Sequence, residues 1–174
     1  MKLERDVEAG QVAPAANDDE IKVADAAPTL DEAARWQRTL VATVEPRFID
    51  KMGHMNVQWY VHLFDRATWR LLALHGLTEP HFKSTKTGAF AVEQRVRYFS
   101  ELRLGAEVYV HSRVLSIREK VITMQHAMID AARARVAAVI ETAGLHMDLK
   151  VRRTSPFPEA AVASLRASME ASAR

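Results

Sequence analysis

The chain has 174 residues, 48% hydrophobic and 26% charged, with no cysteine and a formal net charge of +2. That balance excludes wholesale disorder, and the missing cysteine excludes a disulfide framework, a thiolate metal centre and a cysteine nucleophile. The length suits one domain that buries roughly two-thirds of its unfolded surface, and no apolar run approaches the roughly 18 residues of a membrane-spanning helix.

Charge is unevenly spread. Residues 1–34 hold nine acids against Lys2, Arg5 and Lys22, which leaves +8 for residues 35–174. The first stretch, rich in Ala, Asp and Glu, reads as a flexible acidic tail, with a short helix possible over residues 31–38. It opens Met1-Lys2-Leu3-Glu4-Arg5-Asp6, unlike a secretory or mitochondrial signal, so a cytoplasmic location is expected. The basic body suits an anionic ligand, such as a phosphorylated cofactor, or simply a solvated surface.

Residues 39–44 read as a strand, followed by a loop punctuated by Pro46 and Gly53. Asn56 then caps the clearest helix, which Gly76 stops. Tyr60, Val61, Phe64, Ala67, Thr68, Leu71 and Leu74 form its apolar stripe. Residues 77–88, with Pro80 and Gly88, read as a loop. Beyond it the period becomes two. Phe90, Val92, Gln94, Val96 and Tyr98 share one strand face, and Glu93, Arg95 and Arg97 the other. Further strands are expected over residues 108–115, 121–129 and 136–149, with turns at 118–120 and 130–133. Residues 131–140 also have helix propensity, but a fourth long strand lets the sheet cover the helix. A last helix over residues 159–171 follows Pro156. The expected class is α+β: four long strands in an antiparallel meander, wrapped around one long central helix, plus a C-terminal helix.

The chemistry concentrates in Asp50-Lys51-Met52-Gly53-His54-Met55-Asn56. A carboxylate stands six residues before a helix N-cap, and Gly53 allows a tight turn. Unpaired N–H groups and the positive end of the helix dipole face whatever sits at this loop, as acyl transfer requires of an oxyanion site. Asp50 can attack a carbonyl or activate water. The alternative is that Asp50 bonds loop amides and His54 braces the helix start.

The pattern Asp50-x-x-Gly53-His54-Met55-Asn56-x-x-x-Tyr60-x-x-x-Phe64-Asp65-x-Ala67 resembles the motif of the hotdog-fold acyl-CoA thioesterases of the 4-hydroxybenzoyl-CoA thioesterase-like superfamily. The resemblance spans about residues 36–150. It implies a hotdog domain over residues 35–152, with 1–34 a tail and 153–174 a helical extension. It implies hydrolysis of an acyl-CoA, with Asp50 as base or nucleophile and oxyanion donors among Gly53, His54, Met55 and Asn56. It also implies pairing into a homodimer or homotetramer, with the active site between protomers. The chain departs from the family's usual form at Val57, where many members have Asn, and at Phe48, where many have an acid.

Tyr60, Asp65, Glu93 and Tyr98 are candidate substrate-binding residues. The plainer roles are core for Tyr60, an ion pair with Arg66 or Arg70 for Asp65, and cross-strand pairing for Glu93. His146-x-Asp148 is half a metal site without a second half, so neither metal nor cofactor is expected. Nothing in the pattern suggests a nucleic-acid platform or a membrane partner. Two rival functions fit the same motif: a non-catalytic acyl-CoA or acyl-carrier binding module, and a hotdog dehydratase or hydratase. The acyl group itself cannot be read from the sequence.

Overall fold

The computed structural model describes residues 27–172; the acidic stretch 1–26 lies outside the described residues. The end of the expected tail is built into the domain. Helix α1, Leu30–Ala34, is held by a capping box between Thr29 and Glu32. It seals Ala33 and Trp36 against Ala127, Ile129 and Val139 on the outer sheet face.

The strands are β1 (Gln37–Thr43), β2 (Thr87–Tyr98), β3 (Glu107–Ile117), β4 (Val121–Asp130), β5 (Arg135–Asp148) and the short β6 (Arg153–Thr154), which was not expected. They form one antiparallel sheet in the order β1-β3-β4-β5-β2, with β6 on β5. The expected meander is therefore wrong at one step: β2 pairs with β5, across the sheet from β3. Residues 99–106 make the crossing. Phe99 and Ser100 donate to Ala137 O on the β5 side, and Gly105 donates to Val44 O beyond β1. Three strand spacings are ~14 Å, well within the reach of eight residues. Local turn signals cannot distinguish such a crossing from a hairpin.

The long helix α2, Val57–Leu74, lies on the inner face, capped by the Asn56 side chain. Tyr60, Leu63, Phe64, Ala67, Leu71 and Leu72 are buried, while Leu74 is exposed, so the stripe is rotated slightly from the expected one. Phe64 and Leu63 pack with Val108, Val110, Met128 and Ile140. Each such side chain contributes about 1.5–3 kcal/mol by leaving water.

Two further expectations are corrected. The loop over residues 77–88 contains helix α3, Glu79–Thr85, capped by Thr78. Pro80 sits in its first turn, where no intrahelical N–H bond is lost. On β2, a register shift between Ala91 and Glu93 inserts one residue. Phe90 therefore no longer shares the face of Gln94, Val96 and Tyr98. The strand preferred over a helix at residues 136–149 does form. Its turn works without Gly because Asp130 accepts from Arg133 N–H and Ala134 takes the left-handed conformation at φ 49°. Helix α4, Glu159–Ser172, adds Ala161 and Leu165 to the inner core beside Leu71, Val114 and Phe157. Among the described residues no helix is long and apolar enough to cross a membrane.

A buried polar chain ties α2 to three strands. Thr68 donates to Phe64 O, so His126 Nε2 must donate to Thr68 Oγ1 at 3.0 Å. His126 Nδ1 pairs with Ser112 Oγ at 2.7 Å, Ser112 Oγ pairs with Thr39 Oγ1 at 2.6 Å, and Thr39 Oγ1 donates to Val110 O at 3.2 Å. Burial pushes the His126 pKa down from 6.5 to about 3. The unfolded chain thus binds the extra proton across that window, so stability is full above pH 6.5 and falls as pH drops toward 3. Urea titrations from pH 7 to 4 should show this group's loss, up to about 1.4 kcal/mol per pH unit. His126→Gln should flatten that acid limb; an unchanged slope would show that the imidazole is not held neutral.

Candidate active site

The loop between β1 and α2 is tightly built. A 3-10 turn, Pro46–Phe48, leads into a bridge between Ile49 and Met55. Asp50 N–H donates to His54 O, Gly53 N–H to Asp50 O and Asn56 N–H to Phe48 O. Gly53 sits at φ 83°, where a Cβ is strained. The Met55 side chain is buried in the core and anchors the turn. Asp50 Oδ1 accepts from Met52 N–H at 2.8 Å. Oδ2 makes no hydrogen bond; the nearest cation-forming atom is His54 Nδ1 at 3.8 Å.

The amides divide unequally. Gly53 and Asn56 donate within the loop, and Met55 donates to Leu102 O at 2.7 Å, so none of these three is free to meet a ligand. That narrows the expected donor set of Gly53 to Asn56 to His54. One further amide, outside the expected set, stands beside it. Val57 is the first residue of α2, and the Asn56 side chain reaches past it to Gln58 N–H at 3.1 Å. Neither the Val57 nor the His54 amide has a partner among the described hydrogen bonds. The signal for Val57 was available: the residue after an N-cap has no acceptor four positions back.

The four candidate substrate residues part company. Tyr60 is buried, and its hydroxyl accepts from Leu102 N–H at 3.2 Å and lies 3.4 Å from Ser100 O. Burial raises its pKa. It packs in the core and holds the crossing loop. Tyr98 stands edge-on to it, 5.1 Å between ring centroids, and is half exposed. Glu93 is exposed beside the β2 bulge, and its cross-strand partner in register is Ala143. Asp65 lines a small pocket, and none of the described ion pairs involves it, contrary to the expected pairing with Arg66 or Arg70.

The large cavity lies elsewhere. A groove of about 870 Å³ runs between the second half of α2, α3 and the start of β2. Trp69, Phe82, Phe90 and Leu149 give it an apolar wall, and Arg66, Arg70, Lys83 and Lys86 a basic rim. Gly88 makes room for the Phe90 ring, which approaches to 2.9 Å from where a Cβ would stand. Asp50 is not in this groove; the two occupy opposite ends of α2. β2 is bonded on one side only and exposes Phe90 and Val92 along it, and Tyr98 with Phe99 at its end.

A family model for the thioesterase-like superfamily matches residues 44–165. The chain belongs to that superfamily. Its fold is the hotdog fold, and it resembles a Staphylococcus aureus protein solved in complex with CoA, with a TM-score of 0.74 at 23% identity over 78% of this chain and 85% of the other. The betainyl-CoA thioesterase of Pseudomonas aeruginosa is 28% identical over 76% of this chain and 84% of its own length. The L-carnitine dehydrogenase/betainyl-CoA thioesterase of Agrobacterium fabrum is 31% identical over 71% of this chain. The chain spans 25% of the length of that two-activity relative.

In this thioesterase-superfamily member, Tyr60 links the crossing loop to the Asp50 turn, because Leu102 both receives Met55 N–H and donates to Tyr60. Tyr60→Phe should leave the buried Leu102 amide unsatisfied and cost about 1–3 kcal/mol, read as a lower urea midpoint. An unchanged midpoint would remove the hydroxyl from the support of the loop.

Proposed function

We propose that the chain hydrolyses an acyl-CoA thioester, with the reacting centre between Asp50 Oδ2 and the Val57 amide. The observation that carries this reading is that these two groups, eight residues from end to end, are the loop's uncommitted carboxylate oxygen and the uncommitted N–H at the tip of an 18-residue helix. The thioester oxygen would accept from Val57 N–H, at the positive end of the helix dipole, so that negative charge developing there is stabilised. Asp50 Oδ2 would take a proton from the attacking water, or attack the carbonyl carbon to give an anhydride that water then opens. Either route breaks the C–S bond, expels the thiolate of coenzyme A and yields the free acid. Neither needs a metal or cofactor, and a cytoplasmic setting suits the substrate.

The reading also takes the active species to be a dimer joined through the β2 edges. In an antiparallel pairing of two such edges, the start of one strand runs beside the end of the other. The start of β2 carries the groove, and its end lies beside the first turns of α2, where Tyr98 meets Tyr60. The groove of one copy would therefore face the Asp50 loop of the second copy. Its basic rim suits the coenzyme A phosphates.

Free-thiol release from a panel of acyl-CoAs tests the reaction. Asp50→Asn should lower kcat at least about 100-fold for any thioester that the parent protein hydrolyses. Binding without thiol release across the panel would favour a carrier module, and enoyl-CoA absorbance changes would favour a hydratase. Wild-type turnover in Asp50→Asn would remove the carboxylate from the mechanism.

A further inference from the structure

Along the free edge of β2 the usual alternation of burial breaks. Six consecutive residues, Phe90–Arg95, are exposed, where a sheet with a helix on one face should cover every second one. The charge in this stretch lies on one face. Glu93, Arg95 and Arg97 stand opposite Ala143, Glu141 and Val139 of β5, and Val139 lies under α1 on the outer side of the sheet. Glu141 accepts from Gln125 on β4 at 2.8 Å. The β5 side thus offers this row one carboxylate, already engaged.

A second copy of the chain fits this edge, because the row complements itself. A two-fold axis normal to the sheet keeps both long helices on one side and sets equal faces opposite each other, so each register is named by the residue beside the axis. With the axis at Glu93, Glu93 meets Glu93. With the axis at Arg95, two Glu93–Arg97 pairs form but Arg95 meets Arg95. With the axis at Val96, Arg95 meets Arg97 twice. Like charges directly opposite destabilise a strand pair. With the axis at Gln94, Glu93 of each copy meets Arg95 of the other, and no like pair forms. The residues at the axis are then two glutamines, whose amides can donate and accept in both directions. The same register brings Val92, 58% exposed, beside Val96 of the second copy.

We propose that the two-fold axis of the dimer stands at Gln94 and that reciprocal Glu93–Arg95 ion pairs set this register. The inference rests on the dimer through the β2 edges taken above and names how the second copy is recognised. Gln94 also lines a chamber of about 50 Å³ with Thr68, Trp69, Phe90 and Thr142. In this register the chambers of the two copies lie side by side at the axis, and each copy contributes Gln94 to the wall between them.

Two single variants separate register from folding. In Glu93→Arg both members of each pair are positive, and in Arg95→Glu both are negative. Each alone, folded by circular dichroism, should dimerise at least about tenfold more weakly than the parent. Mixed in equal amounts, they should form heterodimers as tightly as the parent homodimer, within about threefold, by sedimentation equilibrium and native mass spectrometry. An Arg95-centred pair predicts no such rescue, because positions 93 and 97 would then both be positive. Parent-like association of either variant alone, or a mixture that stays dissociated, would overturn the register.

The chain has no cysteine, so an introduced thiol can bridge only to its own counterpart. Gln94→Cys should give a covalent dimer on mild oxidation, since directly opposite Cα atoms lie about 4.5–5.5 Å apart. Arg95→Cys should not, because two residues, about 7 Å along the strand, separate it from its counterpart. Bridging by Arg95→Cys but not Gln94→Cys, or by neither, would overturn the proposal. None of these readouts needs turnover. Self-pairing without thiol release from any acyl-CoA would overturn the hydrolase reading and keep the interface, and thiol release from a protein that never self-associates would do the opposite.

Discussion

A twelve-residue edge strand with a full row of unpaired backbone groups is the constraint on which this molecule turns. β2 carries apolar side chains that a solitary soluble domain would not leave in water, and it lacks the short length or proline that usually protect an edge. The same strand forms one wall of the groove of about 870 Å³. In the proposed dimer, covering the edge and completing the groove are one requirement. The groove stands at the far end of α2 from Asp50, a separation of about 24 Å along the helix from Val57 to Ala73. In the proposed pair, each end of the helix meets the opposite end of its counterpart.

The interior keeps that helix from sliding. Hydrophobic burial along α2 is non-directional and tolerates small shifts, but the chain from Thr39 through Ser112 and His126 to Thr68 does not. It links β1, β3, β4 and α2 at one point. Tyr60 and Leu102 fix the helix start in the same way, by hydrogen bonds to backbone that have no substitute once buried. Between these two fixed points the position of Val57 N–H relative to Asp50 is determined by packing that has nothing to do with substrate. Such preorganisation lets an amide stabilise a developing charge without moving to meet it.

Much of this was legible in the residues. The N-cap at Asn56, the strand periods and the family pattern from Asp50 to Ala67 located the long helix, the strands and the superfamily. What was illegible depends on pairing across the chain. β2 lies beside β5 because residues 99–106 cross the sheet, and no local signal separates that path from a hairpin. The bulge after Ala91 inverts a strand face that alternation alone describes as continuous. α3 was hidden by reading Pro80 as a breaker when its position made it a first-turn residue. The Met55 and Asn56 amides looked available as donors, yet tertiary partners at Leu102 and Phe48 claim them. The groove draws on three elements distant in sequence, so no single stretch announces it.

The central claim, that one copy supplies the carboxylate and another the groove, is open to a mixing measurement. Asp50→Asn removes the carboxylate, and Ala73→Trp fills the groove while leaving Asp50 in place. Each protein alone, folded by circular dichroism, should release little thiol. Dissociated together and reassembled in equal amounts, half of the dimers are mixed, each with one site intact, so about a quarter of the parent activity should return. A mixture no more active than its two components would contradict a site shared between copies.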